Sequence, residues 1–205
     1  MKQTIPKKLA SGVVAAAMTL SLLPAAALAA DSEYSASGAT GFAFTDSGIA
    51  VEDGSYTGYK ISGTDLTIRG LTLNITAPVN DAINAEQTLN IESGTLNISA
   101  GDDAIHCDYV MNVGASGTTG PSITIKACYE GLEAATLNIL SGNISILSED
   151  DCLNAANSDL TGYSFSMTIS GGAITAYSST GDGFDSNGDL TITGGTVVVW
   201  TANTA

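Results

Sequence analysis

The chain is poor in basic residues, histidine, proline and aromatic side chains. Its 205 residues include six lysines and arginines, one histidine, four prolines and one tryptophan, against 21 aspartates and glutamates. So few cations exclude a nucleic-acid interface, which needs lysine and arginine to displace the counterions of the phosphate backbone. A single histidine and the lack of any Cys-x-x-Cys pattern exclude the usual zinc sites.

Cysteine is also scarce, and it is irregularly placed. Cys107, Cys128 and Cys152 are an odd set, so they leave either one disulfide with a free thiol or no disulfide at all. The chain after residue 30 lacks any 3.6-residue apolar period and any helix cap. We therefore expect almost no helix.

An apolar run near the N-terminus has the features of a secretory signal peptide. Three lysines precede the run, which ends in the small-x-small pattern Ala27-Leu28-Ala29. We predict that residues 1–30 are removed and that the protein is secreted, extracellular or at the cell surface, with no membrane anchor left. A transmembrane anchor is the alternative, but the run is short and contains Pro24.

Removal of this segment would leave a strongly acidic protein. All 21 acidic residues follow Ala30, and only Lys60, Arg69 and Lys126 remain of the basic ones, for a net charge of −18. Hard oxygen ligands of this kind suit calcium. An acidic surface that merely limits aggregation is the alternative, but it would scatter the carboxylates. Here many of them belong to one repeated motif.

A short acidic motif recurs five times, with its second-position carboxylates 22, 27, 21 and 31 residues apart. The copies are Asn80-Asp81-Ala82-Ile83-Asn84, Asp102-Asp103-Ala104-Ile105-His106, Tyr129-Glu130-Gly131-Leu132-Glu133, Asp150-Asp151-Cys152-Leu153-Asn154 and Gly181-Asp182-Gly183-Phe184-Asp185. Between them lie Leu-x-Ile-like segments whose alternation indicates short, half-buried strands. One corner and three strands in every 20 to 30 residues, roughly, predict a β-solenoid whose stacked rungs share a continuous core.

Alternation within the motif predicts two columns of side chains, one inward and one outward. The inward column is Ile83, Ile105, Leu132, Leu153 and Phe184, and the outward column is Asn84, His106, Glu133, Asn154 and Asp185. Rungs stack about 4.8 Å apart, so carboxylates of successive copies would face one another.

A calcium ion fits between two such rungs, since it binds oxygens at about 2.3–2.6 Å. The candidate metal ligands are Asp102, Asp103, Glu130, Glu133, Asp150, Asp151, Asp182 and Asp185. The alternative for any single aspartate is a turn residue that hydrogen bonds its own backbone.

The organisation of the chain follows from these patterns. We predict a signal peptide (1–30), a flexible leader rich in Ser, Ala, Gly and Thr (31–45) and a β-solenoid (46–205), whose residues 46–65 form an N-terminal cap or first turn. The last strand-like segment has no cap after it. We therefore expect the sequence to be a C-terminally truncated piece of a longer gene product.

Three of the motif copies carry a family resemblance. They are Gly101-Asp102-Asp103-Ala104-Ile105-His106, Tyr129-Glu130-Gly131-Leu132-Glu133-Ala134 and the segment from Gly181 to Val197. In these motifs the chain resembles the bacterial carbohydrate-binding domain-containing proteins, well over residues 80–200 and weakly over 40–79. The resemblance implies a right-handed parallel β-helix, bound calcium, binding of cellulose and of acidic sugars such as polygalacturonate, and a fold relation to pectate lyases.

Two features of the chain depart from this family. The family continues past the Asp-Ser-Asn-Gly rung into further acidic rungs, which this chain lacks. In addition, the third motif residue is Ala or Cys in three copies, where the family prefers Gly.

Three functional hypotheses follow. The first is a secreted calcium-binding module that binds polysaccharide, either cellulose or a polygalacturonate-like acidic glycan, without cleaving it. The second is a calcium-dependent, pectate-lyase-like polysaccharide lyase, in which a neutral Lys126 abstracts the proton α to a uronate carboxylate. With only three basic residues after Ala30, the chain offers few candidates for the catalytic base and for the cation that would bind the substrate carboxylate. The third is a structural or adhesive surface solenoid. We favour the first, which names no catalytic residue.

Aromatic side chains are the natural partners of sugar rings, because they present a flat apolar face. The candidate sugar contacts are Tyr109, Tyr129 and Lys126. Tyr163, Tyr177 and Trp200 are also available, but the sequence does not show which aromatic residues share a face.

Overall fold

The short alternating segments of the sequence form β-strands throughout the part of the chain that the structure describes. This computed structural model describes residues 61–202 and, before them, only four short strands between residues 35 and 57. The signal-peptide prediction for residues 1–30 falls outside the described residues. The predicted leader (31–45) includes the first two of the short strands.

The described residues form 18 strands and no helix, which confirms the all-β class. The strands are β1 (Ser35–Ser37), β2 (Phe42–Thr45), β3 (Gly48–Val51), β4 (Gly54–Thr57), β5 (Ile61–Ile68), β6 (Leu71–Ala77), β7 (Ile83–Ile91), β8 (Gly94–Ala100), β9 (Ile105–Val113), β10 (Ser122–Ala127), β11 (Leu132–Ile139), β12 (Asn143–Ser148), β13 (Leu153–Ala155), β14 (Ser166–Ile169), β15 (Ala173–Ser178), β16 (Phe184–Ser186), β17 (Asp189–Ile192) and β18 (Thr196–Thr201). Across the described part, no helix has the length and apolar character needed to cross a membrane.

The strands stack into a β-solenoid of about six turns, as the motif spacing predicts. An eight-stranded sheet, here sheet A, has the order β1-β4-β6-β8-β10-β12-β15-β18. A ten-stranded sheet, here sheet B, follows the order β16-β13-β11-β9-β7-β5-β3-β2, with β14 beside β11 and β17 beside β14. The pairs β1–β4 and β2–β3 are antiparallel, and every other described pair is parallel.

Sheet B receives two of the three strand segments of each turn. In β5, β7, β9 and β11 the motif segment and the following Leu-x-Ile-like segment form one long strand, with a register shift near Gly63 in β5 and near Ala135 in β11. In later turns the segments separate into β13 and β14 and into β16 and β17. Residues 156–165 and the turn at Asn187 and Gly188 account for these separations, because they lie between the paired segments.

The core consists of inward columns that run from rung to rung. The predicted motif column pairs directly through the rungs: Ile83, Ile105, Leu132, Leu153 and Phe184. Its first four members are fully buried, and each contributes about 1.5–3 kcal/mol by leaving water. Similar columns of Leu, Ile, Val and Met line the other segments. Stacking therefore provides the core that no single rung could form.

The third residue of the acidic motif also packs inside the solenoid, which explains why it is always small. A Cβ on Gly131 would lie 2.1 Å from the carbonyl oxygen of Cys152 on the next rung. Ala82, Ala104 and Cys152 occupy the same position and are fully buried. The departure from glycine in three copies is thus accommodated by local space within the core.

The three cysteines are free thiols and are buried. Of the two possibilities left by the sequence, the structure shows the one without a disulfide. Burial is the main cause that raises the pKa of each thiol, to about 12 for Cys128. These cysteines therefore serve as small core residues.

Candidate functional site

The five acidic motifs lie above one another at the corner where each strand of sheet A leads into sheet B. The amide of the third residue in one copy donates to the carbonyl of the second residue in the next. These bonds run from Ala82 to Asp103 (3.1 Å), Ala104 to Glu130 (2.9 Å), Gly131 to Asp151 (2.9 Å) and Cys152 to Asp182 (3.2 Å). We call this stack of motif carboxylates and the outward side chains beside it the acidic column.

The first carboxylate cluster of the acidic column joins two rungs. Oxygen atoms of Asp81, Asp102 and Asp103 all lie within 4.8 Å of one another. Asp81 Oδ1 accepts a hydrogen bond from the Asp103 amide at 3.3 Å, and Asp81 Oδ2 accepts from Asn84 Nδ2 at 3.0 Å. Asp103 is 7% exposed. Asp81 is therefore a further candidate ligand, because only Asp102 and Asp103 of this group were predicted from the sequence.

His106 lies among three carboxylates. Its Nδ1 is 3.0 Å from Asp103 Oδ2 and 2.9 Å from Glu133 Oε2, and its Nε2 is 3.0 Å from Asp108 Oδ1. Burial alone would lower the pKa of His106, but hydrogen bonds and negative charge from Asp103 and Glu133 raise that pKa to about 11. Burial is the main cause that raises the pKa of Asp103, to about 6. The hydrogen bond and charge of His106 lower this pKa, whereas those of Glu133 raise it. An imidazolium therefore provides positive charge within the acidic column.

The next rung holds a buried polar atom without a partner. Asn154 is 6% exposed, and its Nδ2 donates to Glu130 Oε2 at 2.8 Å. Its Oδ1 has no hydrogen-bond partner in the described structure. Burial is the main cause that raises the pKa of Glu130, to about 7. The hydrogen bond from Asn154 lowers this pKa, and the negative charges of Asp103, Asp151 and Asp150 raise it.

The last two motif copies place four predicted ligands on neighbouring rungs: Asp150, Asp151, Asp182 and Asp185. Among the described residues, these four do not form a close cluster like that of Asp81, Asp102 and Asp103. Asp151 Oδ1 accepts from the Asp182 amide at 2.7 Å. Burial raises the pKa of Asp151, and the charges of Asp150, Asp185 and Asp182 raise it further. Asp185 Oδ1 accepts from the Ser186 amide at 2.8 Å, so this carboxylate also makes the local turn bond that the alternative interpretation expects.

The residues of the acidic column fit calcium. Their donors are carboxylate and amide oxygens, the ligands that calcium prefers. A buried acceptor such as Asn154 Oδ1 costs about 1–3 kcal/mol when it is left without a partner, and a cation would remove that cost. Asn154 was placed in the outward column by its sequence position. Its neighbours Glu133 and Asp185 in that column are the signal that identifies it as a further candidate ligand.

The structure does not bring the predicted sugar contacts onto one face. Lys126 is exposed on β10 of sheet A, whereas Tyr109 lies on β9 of sheet B, where its ring meets Tyr163 edge-on at 6.0 Å. Tyr129 is 44% exposed at the acidic corner, where a hydrogen bond with Asp150 is the main cause that raises its pKa. Among the described residues, no carboxylate forms an ion pair with Lys126.

Comparison with known proteins gives one match. A family described as carbohydrate-binding domain-containing protein matches residues 43–205, which is most of the chain. The chain belongs to this family. Searches among curated proteins and solved structures found nothing that matches it. Membership in this carbohydrate-binding family indicates a carbohydrate partner, while the relation to pectate lyases stays a prediction.

A surface feature that sequence reasoning missed lies on sheet A of this family member. Leu147 pairs with Tyr177, and Tyr177 pairs with Trp200, on three successive rungs. All three side chains point outward and are 50%, 40% and 55% exposed. Lys126 follows Ile125, whose partner is Ile146, at a point where the register of β10 with β8 shifts. It lines the same groove as Leu147 and Tyr177. The common position of Leu147, Tyr177 and Trp200, next after the apolar-x-apolar core of each strand, is the signal that could have revealed the column.

A groove of about 440 Å³ runs beside this column. Its lining includes Lys126, Leu147 and Tyr177, together with Glu149 and Thr180. None of the eight predicted metal ligands lines it. The groove and the acidic column are therefore separate features of the described surface.

Proposed function

We propose that the protein is a secreted, calcium-binding β-helix that binds polysaccharide without cleaving it. The observation that carries this proposal is the stacked acidic column in a member of a carbohydrate-binding family. The family supports the carbohydrate partner, and the buried, unpartnered Asn154 Oδ1 supports the ion. The apolar run at residues 1–30 supports secretion.

Calcium would be held by oxygens of neighbouring rungs. One set of candidate ligands is the cluster of Asp81, Asp102 and Asp103. A second set lies on the following rungs and consists of Glu130, Glu133, Asp150, Asp151, Asn154, Asp182 and Asp185. Such an ion would supply positive charge that offsets repulsion between stacked carboxylates. Asn154 and the carboxylates would hold that ion, because hydrogen bonds between rungs already position their side chains.

The position of Lys126 supports binding over cleavage. A lyase needs a base beside the calcium that holds the uronate. Lys126 lines the groove on sheet A, and the only carboxylate in that lining, Glu149, is not a candidate metal ligand. Lysine and calcium would therefore act at different places. Polysaccharide lyase activity is accordingly the weaker alternative.

The proposal covers neutral and acidic polysaccharides, which differ in their need for calcium. A protein of net charge −15, or −18 without residues 1–30, requires a bridging cation to hold a polyuronate, because both partners are anionic. A neutral glucan requires no such bridge.

Isothermal titration calorimetry tests the proposal directly. The purified protein is titrated with cello-oligosaccharide and with oligogalacturonate, first in calcium and then in chelator, while ultraviolet absorbance reports any unsaturated product. Saturable heat with either sugar and no absorbance increase is the expected result. An absorbance increase that is lost in Lys126→Ala would identify a lyase, and no heat with either sugar would leave a structural solenoid.

Secretion has its own test. We expect protein recovered from the culture medium to begin after Ala29 or Ala30, as read by N-terminal sequencing. An intact N-terminus retained in the membrane fraction would contradict this part of the proposal.

A further inference from the structure

The outer face of sheet A gathers most of the exposed apolar surface. Eight large apolar side chains are exposed among the described residues, and four of them lie on this face: Leu147, Tyr177, Val198 and Trp200. Leu190 and Ile192 belong to core columns at the last described rung, where no further rung covers them. The other two, Val79 and Tyr129, lie at corners. A contiguous exposed apolar patch of this kind marks an interaction surface.

The strands of this face carry no acid, although Glu149, just after the end of β12, lines the groove beside the column. None of the eight strands of sheet A contains aspartate or glutamate, although the chain has 21 such residues. The next outward column consists of Thr124, Ser145 and Thr175, followed by Val198. Neutral hydroxyl groups thus stand beside the apolar column, and Lys126 is the one charge among the described strands of this sheet.

The charge of the surroundings decides between the two classes of glycan. A polyuronate on this face would meet a single lysine, together with the repulsion of a protein whose net charge is −15, or −18 without residues 1–30. A neutral sugar polymer meets no such repulsion. Its hydroxyls would find the Thr and Ser side chains, and its apolar ring faces would find the aromatic rings.

The geometry of the column suits an extended chain. Rungs repeat about every 4.8 Å, so the paired column from Leu147 through Tyr177 to Trp200 runs along the stacking direction for about 10 Å. An extended β-linked pyranose chain is straight and presents flat apolar faces along its length. We propose that this face, defined by Leu147, Tyr177, Val198 and Trp200 and called the sheet A platform, binds a neutral β-linked glucan chain parallel to the solenoid axis, independently of calcium.

This inference rests on the proposed function, to which it adds the site, the glycan class and the independence from calcium. Its test is calorimetry with cello-oligosaccharide and oligogalacturonate, in calcium and in chelator, on the wild-type chain and four variants. Tyr177→Ala and Trp200→Ala remove the stacking surface. Tyr177→Phe keeps the ring, and Val79→Ala removes an exposed apolar side chain elsewhere. Melting temperatures of all variants verify folding.

The expected result is equal affinity for cello-oligosaccharide in calcium and in chelator. Tyr177→Ala and Trp200→Ala should each weaken that binding at least about ten-fold, the loss typical of one stacking partner. Tyr177→Phe and Val79→Ala should leave it unchanged. Glucan binding that survives both alanine variants would contradict the platform as the binding site, and so would binding of oligogalacturonate alone. Either result would leave the proposed polysaccharide binding intact. No binding of either sugar would overturn both.

Discussion

The sheet A platform and the acidic column are built on the same rungs but have opposite chemistry. The strands of sheet A contain no carboxylate, and their exposed column is apolar. A short distance along the chain, each turn places carboxylates in the acidic column, where Asp103 is almost fully buried. The solenoid converts one position of a repeat into one column. Each column therefore acquires a single chemical character, and two unlike surfaces coexist on one core.

The largest effect should come from removing the cation of the acidic column. His106→Gln leaves Asp103, Glu133 and Asp108 without the imidazolium that contacts all three. Loss of one partner from a largely buried ionic group costs about 3 kcal/mol, which corresponds to a fall of roughly 6–12 °C in melting temperature in chelator. Calorimetric melting measures it.

The control variant is His106→Lys, which keeps a cation in the column and should lose less stability than His106→Gln. An unchanged or higher melting temperature for His106→Gln would contradict a stabilising role for the imidazolium.

Calcium should stabilise the acidic column and leave the platform unaffected. At about 100 times its dissociation constant a ligand of the folded state adds about 2.7 kcal/mol, or roughly 5–11 °C. Asn154→Ala should reduce this increment because it removes the buried Oδ1 acceptor. Asn143→Ala, an exposed asparagine on sheet A, is the matched control and should keep the full increment. Equal increments in the two variants would remove Asn154 from the proposed ligands.

The acidic column should also give stability a definite dependence on pH in chelator. The folded-state pKa is raised from 3.8 to about 6 for Asp103 and from 4.5 to about 7 for Glu130, so the folded state binds protons more tightly. Stability should therefore fall as pH rises from about 4 to about 7.

The histidine acts in the same direction at higher pH. Its contribution is complete below 6.5 and is lost as pH rises toward the folded-state pKa of about 11. Melting temperatures measured across this range in chelator check both windows. Calcium should flatten the lower one, because it favours the ionised carboxylates. A melting temperature that rises between pH 5 and pH 7 in chelator would contradict the raised pKa values of Asp103 and Glu130.

The smallest effect is expected at an ion pair outside both regions. Arg69 and Glu92 form an exposed pair on neighbouring rungs, and their mutual hydrogen bond raises the pKa of Arg69 and lowers that of Glu92. Exposed pairs contribute little because water screens them. Arg69→Ala should leave the melting temperature unchanged within error. A clear fall would show that charge outside the acidic column also holds the rungs together.

The regular part of the fold was predictable because repetition carries it. Spacing and alternation predicted the inward column from Ile83 to Phe184 and the outward column beside it, and the rung pairing confirms that both sets form columns. Asn154 of the predicted outward column is nevertheless buried, because its amide packs against Glu130 of a neighbouring rung. The merging of two segments into one strand in β7 and β9 was not predictable, because it depends on the backbone path through a corner.

The site was only partly predictable, for a related reason. The sequence identified the carboxylates, but the contacts of His106 and the unpartnered Oδ1 of Asn154 depend on side-chain packing across rungs. The platform was missed because Leu147, Tyr177 and Trp200 are far apart in sequence and have little in common except their place in the strand.

Trp200 offers the most direct measurement of the separation between the two regions, since it is the only tryptophan of the chain and lies on the platform. Its fluorescence can be titrated with cello-oligosaccharide, in calcium and in chelator, and with calcium alone. We expect a saturable blue shift with the glucan, with the same midpoint in both buffers, and no change with calcium alone. A shift that appears only when calcium is present, or no shift while calorimetry shows glucan binding, would contradict this expectation.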